Sequence, residues 1–394
     1  MFKRFESWVE ALPDGEPTKP PTGVYAFCRH YTKGYELPLI LMSVLTAFIA
    51  MLEVSLFGFM GQLVDWLVKK SPETLYQDEG STLILMGVMV LVVMPLLVLF
   101  HALIMHQTLL GNYPMSIRWL AHRYLLKQSV SFYQNDFAGR IATKVMQTSL
   151  AVRETVMKLL DVLVYILVYF TSMLVMVASA DVRLVVPMLI WLALYIGLQW
   201  YFVPRLKTVS TEQADARSTM TGRIVDSYTN ITTVKLFAHT DKEADYAKAS
   251  MRSFLDTVYR QMRLVTGISV SVQIINYLLA FSIAAVSIAL WSDNAISVGA
   301  IAIAVSLALR LNGMSQWIMW EISSLFENIG TVTDGMNTLS KTTLIQDSPD
   351  ANTLVVEQGR IDFNQVSFHY GENTGVIDEL NPVSYTHLTL PTKA

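Results

Sequence analysis

Apolar positions in this chain do not alternate at a short period but gather into blocks. Six blocks are mostly apolar and about 20 residues or longer, the length that crosses a hydrocarbon core. They cover 37–67, 82–110, 156–179, 184–203, 264–291 and 295 to about 325. Each predicts a membrane-spanning helix. Spans three and four are joined by Ala180 to Arg183, and spans five and six by Ser292 to Asn294, both of turn length. The stretches 111–155 and 204–263 are instead long and polar, with apolar residues still at helical spacing among the charges. They predict that spans two to five continue as helices well beyond the bilayer. Each pair would meet at a short transverse turn, near Phe132 to Ile141 and near Asp226 to Val234.

The long connections are rich in basic residues. The first contains Arg118, Arg123, Lys127, Arg140, Lys144 and Arg153, and the second runs from Arg205 to Arg263 with ten lysines and arginines. The positive-inside rule puts both in the cytoplasm together with both chain ends, and an even number of spans agrees. Trp66 and Trp291 then fall at the outer interface, Trp200 and Tyr201 at the inner one. Residues 1–32 mix aromatics with charges and have no compact apolar core before a cleavage site, so they predict amphipathic segments on the membrane surface rather than a signal peptide. Pro20 and Pro21 divide them.

Composition agrees with this picture. The 394 residues are 53% hydrophobic and 15% charged, with mean hydropathy +0.41, against about 25% charged in soluble domains. An ordinary soluble enzyme and a disordered chain are both excluded. The net charge of −3 argues against a basic nucleic-acid binder. Cys28 is the single cysteine, which rules out an intramolecular disulfide and a cysteine zinc site, and it reads as a filler thiol.

Ionisable residues inside spans need partners or water. Glu53 in span one and Arg310 in span six both fall near mid-depth. A Glu53–Arg310 pair has two readings: part of a polar cavity that contacts substrate, or an ion pair that holds two helices together. Asn312, Gln316, Trp317 and Trp320 follow Arg310 and are candidates for a polar and aromatic cavity wall. Glu321 also lies in span six. His101 and His106 in span two are five residues apart and do not share a helix face, so no metal site is expected. Asp181, Arg183 and Asp293 read as solvated turn residues. Pro95 and Pro187 are candidate kinks.

Three local sequences carry a resemblance. Residues 131–141, SFYQNDFAGRI, pair two aromatics with a polar turn, a glycine and an aliphatic residue. Residues 231–238, ITTVKLFA, contain I-x-x-V-K-x-F. Residues 359–370, GRIDFNQVSFHY, alternate apolar side chains as two short strand pieces do. Together with the six-span pattern, they resemble the transmembrane domain of an ABC exporter of the multidrug or lipid type, followed by the opening strands of its nucleotide-binding domain. The resemblance implies an all-α membrane bundle with long cytoplasmic helical extensions and a short β fragment of an ATPase domain. The implied layout is a surface segment 1–36, a transmembrane domain 37–345, a linker 346–358 and a partial nucleotide-binding domain 359–381, and the run 382–394 is expected to be a non-native tail. That tail (PVSYTHLTLPTKA) resembles spurious tails on translated metagenomic sequences.

The resemblance also implies function. The two turns would grip the ATPase domains, through Phe132, Tyr133, Asn135, Asp136 and Arg140 in the first and Asp226, Asn230 and Val234 in the second. Tyr370 would stack on the adenine of ATP. No G-x-x-x-x-G-K-[ST] phosphate loop occurs in the sequence, so hydrolysis of ATP with Mg²⁺ is expected only of a longer protein. The expected role is a half-transporter in a bacterial inner membrane that exports an amphipathic or lipid-like substrate. It would work as a homodimer, or a heterodimer with a sister chain, with Glu53, Arg310, Asn312 and Gln316 along the pathway. The alternatives are an ATP-independent six-span channel or carrier, a membrane enzyme, and an inert fragment. A carrier predicts broken half-helices in matching repeats, and no such pair is evident.

Overall fold

The computed structural model describes residues 2–134, 138–343, 345, 350–352, 355, 360–369 and 376–385. It divides into two compact units, Met1–Thr342 and Thr343–Ala394. In the first, α1 (Phe2–Glu6) and α2 (Val24–Thr32) stand on either side of Pro20 and Pro21. Then come α3 (Glu36–Lys69) and α4 (Pro72–Leu126), the short α5 (Val130–Gln134), α6 (Gly139–Ala180) and α7 (Val182–Thr229). The short α8 (Ile231–Leu236) leads to α9 (Thr240–Ser292) and α10 (Val298–Leu339). The six long helices are all long and apolar enough to cross a membrane.

Five of the six predicted spans fall wholly within one of these helices. The sixth begins three residues later than Ala295, because Ser297 takes the N-cap and its hydroxyl accepts the Ala300 N–H at 3.2 Å. Pro72 opens α4, where its missing N–H costs nothing. Asp181 is not merely solvated. Its Oδ1 accepts the Arg183 backbone N–H at 2.8 Å and closes the turn between α6 and α7. Asn294, in the left-handed region at φ 56°, ends the reversal after α9. Pro204 lies inside α7 without ending it, and the Arg205 guanidinium donates to the Tyr201 carbonyl at 2.6 Å one turn earlier.

The rods are long. At 1.5 Å per residue, the 48 residues of α7 and 53 of α9 reach about 72 and 80 Å, more than twice a hydrocarbon thickness of about 30 Å. Ion pairs and ring contacts between them hold the register: Arg260 with Glu212 at 2.8 Å, and Arg223 over the Tyr246 ring at 4.2 Å.

Two apolar cores support the bundle. One is built from α6, α7, α9 and α10 with Ala50 and Val54 of α3, and Tyr169, Met173, Met188 and Ile283 are completely buried in it. The other joins α2 to the start of α3, the end of α4, the start of α6 and the end of α10, around Phe27, Leu109, Tyr113, Val152 and Val332. α10 is central to the bundle, with 39% of its apolar window buried, whereas only 6% of that of α4 is buried. So α4 presents its leucines and valines outward, as a lipid-facing helix does. Gly335 lets α10 and α6 approach closely, since a Cβ there would lie 1.7 Å from Thr148 Oγ1.

Three stretches of the spans widen to π geometry, Met89–Val93 and Leu103–Leu109 in α4 and Lys158–Val162 in α6. Such insertions turn side chains out of the 3.6-residue phase and recur at functional sites.

The second unit holds two antiparallel strand pairs. β1 (Arg360–Asp362) pairs with β4 (Val383–Tyr385), and β2 (Val366–Phe368) pairs with β3 (Ile377–Leu380) across an irregular register. β1 and β2 fall where the alternation of residues 361–370 predicts strands. β4 lies in the run 382–394 set aside above as a tail. Asn135, Asp136 and Tyr370 lie outside the described residues.

Candidate functional site: a polar cavity and two helical elbows

A cavity of about 460 Å³ opens between α3, α4, α6 and α10. Glu53 and Arg310 both line it, with Arg310 Nη2 3.8 Å from Glu53 Oε2. That contact is loose. The tighter one is the Tyr165 hydroxyl, which donates to the same carboxylate oxygen at 2.5 Å. The sequence reading joins Glu53 to Arg310 but not to Tyr165.

A second polar group lies on the same wall. His101 Nε2 is 3.0 Å from Asp161 Oδ1, and the Thr46 hydroxyl donates to that oxygen as well. Asp161 lies within the π stretch of α6, and His101 just precedes one in α4. Sequence reasoning missed Asp161, although the residue stands in the third apolar block four positions before Tyr165. It also missed Lys158, which forms an ion pair with Glu321 across α6 and α10 and so accounts for that glutamate. His106, by contrast, is exposed.

The α10 face toward the cavity consists of Arg310, Gly313, Met314 and Trp317, at helical spacing. Asn312 and Gln316 do not line this cavity. The helix turns them away from the Arg310 face. Asn312 Oδ1 accepts from Asn276 Nδ2 at 3.1 Å, and Asn276 also bonds Ser315 Oγ at 2.8 Å and accepts from Trp191 Nε1 at 2.8 Å. This buried set ties α7, α9 and α10 together. Trp317 meets Tyr165 edge-on with ring centroids 5.9 Å apart, while Trp320 is largely exposed.

The first elbow, around α5, is tied to the body of the bundle. Phe132 packs against the second core and has Lys341 Nζ 5.6 Å from its ring centroid. The Tyr133 hydroxyl donates back to the Leu125 carbonyl at 2.8 Å, and partial burial pushes that phenol up from its ordinary pKa. Of the expected apolar plug, Phe132 is half-buried against the core, while the Tyr133 ring stays 37% exposed with its hydroxyl tied back to α4. Arg140, at the start of α6, is exposed.

The second elbow is open. The Asn230 N–H bonds the Asp226 carbonyl at 3.0 Å and the Val234 N–H bonds that of Asn230 at 3.1 Å, so the three expected residues form one continuous turn. Asp226 and Asn230 are exposed and Val234 is half-buried. Tyr228 is 71%, Leu236 77% and Phe237 66% exposed. Ala238 at φ 52° reverses the chain into α9. The sequence motif reaches Leu236 and Phe237 without singling them out as contacts.

The described residues contain no cluster of three metal-ligating side chains. Cys28 is buried, and burial raises its thiol to about 11.

Comparison with known proteins agrees with this architecture. Residues 39–314 match the ABC transporter transmembrane region. A Haemophilus influenzae protein named as an uncharacterized ABC transporter ATP-binding protein is 45% identical over 386 residues, which is 97% of this chain and 62% of that protein. The chain thus spans less than two thirds of the length of this relative. A bacterial Atm1-family ABC exporter solved with ATP bound shares the fold, with TM-score 0.66 and 15% identity over 91% of this chain and 62% of that one. The match covers most of the chain and all or part of each of the six membrane-length helices, and the chain belongs to the ABC transporter family by its transmembrane region.

Proposed function

We propose that the chain is the membrane half of an ATP-driven exporter in a bacterial inner membrane. Both chain ends and both elbows would lie in the cytoplasm, as the basic residues of the long connections favour. Two such chains, or this chain and a sister chain, would form one pathway for an amphipathic or lipid-like substrate. Glu53 and Arg310 would line it.

The observation that carries this reading is the second elbow. It sits at the tip of two rods far longer than a bilayer is thick, and it exposes Tyr228, Leu236 and Phe237 together. Exposed apolar clusters of this kind mark docking surfaces. A helix transmits displacement along its axis while its hydrogen bonds stay intact, so a motor that moves the elbow moves α7 and α9 inside the membrane. ATP and Mg²⁺ enter only through an ATPase domain whose opening strands residues 359–370 resemble. Of its nucleotide contacts, this sequence offers only the expected adenine stacking of Tyr370. Asp136 would join the elbow contacts of the first hairpin.

The test is ATP hydrolysis by the chain continued through its ATPase domain, in lipid vesicles. Leu236→Asp should lower hydrolysis and substrate export together by about tenfold, as a buried charge at a docking surface costs 1.4 kcal/mol or more. Tyr370→Ala should weaken nucleotide binding by roughly 1–3 kcal/mol. Full activity of Leu236→Asp would rule out the elbow as the coupling point.

A further inference from the structure

We propose that the first hairpin carries a lipid site of its own, a groove that binds the head and single acyl chain of a fatty-acid-like anion drawn from the inner leaflet. The site lies apart from the cavity of Glu53 and Arg310, and it does not depend on the exporter reading.

The groove has a volume of about 540 Å³ and lies between the end of α4, the start of α6 and the N-terminal segment. Leu125, Ile141 and Val145 line it as buried side chains, and Leu12, Met115 and Met146 as exposed ones. Apolar lining with a few polar groups is the usual make-up of a small-ligand site, and roughly 300–1,000 Å³ its usual size. The wall that carries Leu12 is firmly held. Pro13 and Pro17 keep the segment out of a helix. Trp119, Arg123 and Lys127, each four residues from the next on one face of α4, bind it. Trp119 Nε1 donates to the Pro13 carbonyl at 3.0 Å, and Arg123 Nη1 to the carbonyls of Pro13, Asp14 and Gly15 at 3.3, 3.0 and 2.8 Å. Lys127 forms an ion pair with Glu16.

Charge selects the ligand. The ionisable side chains on the groove are Arg118, His122 and the Tyr133 phenol, and no carboxylate among the described residues lines it. Arg118 is half-buried and donates from Nε to Ser149 Oγ at 2.9 Å, with no carboxylate partner among the described residues. The carboxylates of Glu16 and Glu154 are taken by Lys127 and Arg153. A half-buried cation without a counter-charge is costly, and a carboxylate or phosphate head offsets that cost through charge-assisted hydrogen bonds to the guanidinium. His122, one turn along α4, adds a ring nitrogen beside it.

Position gives the source. Met115 stands five residues beyond Leu110, where the second apolar block ends, or about 8 Å along the helix. The headgroup layer is about 5–8 Å deep on each side of the hydrocarbon. The Met115 end of the groove therefore opens at the headgroups of the inner leaflet, beside a segment expected on the membrane surface. A space of this size takes one long chain with a small head rather than two chains.

The test is photolabelling of the purified chain in phosphatidylcholine nanodiscs at pH 8, with stearate that carries a diazirine on its chain. Label should appear in residues 115–126 and 141–146, saturate at one per chain and be displaced by plain stearate. Stearylamine with the same diazirine, a cation of the same shape, should label these stretches at least tenfold less. Arg118→Gln should lower labelling by stearate about tenfold. Ala142→Trp tests the groove without touching a charge. Ala142 lines the groove and is exposed, so the fold should survive while the added ring fills the space and abolishes labelling.

Equal labelling by the amine would overturn the proposal. So would unchanged labelling of a monodisperse Ala142→Trp protein, or a groove left unlabelled in the unaltered chain, as when a second copy covers it. No nucleotide is present, so none of these outcomes bears on the elbow test with Leu236→Asp.

Discussion

The two helical hairpins that leave the bundle have the same plan and opposite surroundings. The hairpin of α4 and α6 is wrapped. Trp119 and Arg123 on α4 bond the carbonyls of Pro13 to Gly15 in the N-terminal segment, and Lys144 on α6 bonds Asp334 at 2.8 Å and Thr338 at 3.1 Å on α10. Phe132 at its elbow packs against the second core. The hairpin of α7 and α9 has, over its outer half, mainly its own two helices for company. Arg223 over Tyr246, Arg217 over Phe254 and Gln261 to Ser210 are all contacts within it. One hairpin is thus built into the body of the protein, and the other is left with its apolar side chains uncovered. A wrapped elbow is part of the folding unit, and under the proposed coupling role the open one is the more accessible to a motor.

The sharpest way to break this contrast is at the crossing of α6 and α10. A Cβ at Gly335 would overlap Thr148, so Gly335→Val forces the two helices apart. Overpacking of this kind costs typically 1–3 kcal/mol, and the backbone position here puts the expected loss near 3 kcal/mol. Thermal unfolding in detergent should show a clear fall in midpoint, along with loss of the Lys144–Asp334 contact. A midpoint equal to that of the unaltered chain would mean that the first hairpin is not anchored to α10.

A smaller effect is expected at the first elbow itself. Phe132→Ala removes a half-buried ring from the second core, worth about 1–2 kcal/mol by the apolar area involved. The readout is again stability, and it should be seen in the chain by itself, before any ATPase domain is considered. If Phe132→Ala leaves stability unchanged, the ring is not part of the core and the first elbow resembles the second more closely than its contacts indicate.

Much of this contrast could be read from the sequence, but not its decisive part. Block lengths located all six helices, because about 20 apolar residues in a row have few other uses. The turn residues Asp181 and Asn294 and the polar connections fixed the hairpin order. Two things escaped. Asp161 and Lys158 sit in a π stretch, where phase arguments built on 3.6 residues per turn no longer tell which way a side chain points. The partial burial of Phe132 and the tie of Tyr133 back to Leu125 depend on contacts distant in sequence, and a motif of aromatic and polar residues reads the same whether its rings face in or out. For the same reason the Asn312 amide was legible as polar but not as the partner of Asn276, which is 36 residues away.

The smallest expected change in stability is the most informative, because it falls on an exposed aromatic ring of the open elbow. Phe237 is 66% exposed and stacks on His239, with ring centroids 6.4 Å apart. Phe237→Ala removes little buried area, so the unfolding midpoint of the chain should stay within the range of an ordinary surface substitution, about 0.5 kcal/mol. Folding gives no reason to keep a phenylalanine at such a position. Exposure of a large ring costs solubility, and an alanine would serve the helix end as well. If the ring is there for a partner, the same variant should lower ATP hydrolysis of the chain continued through its ATPase domain while leaving the unfolding curve alone. A matched loss of stability would instead place Phe237 in a local core, and the two elbows would then differ in degree rather than in kind.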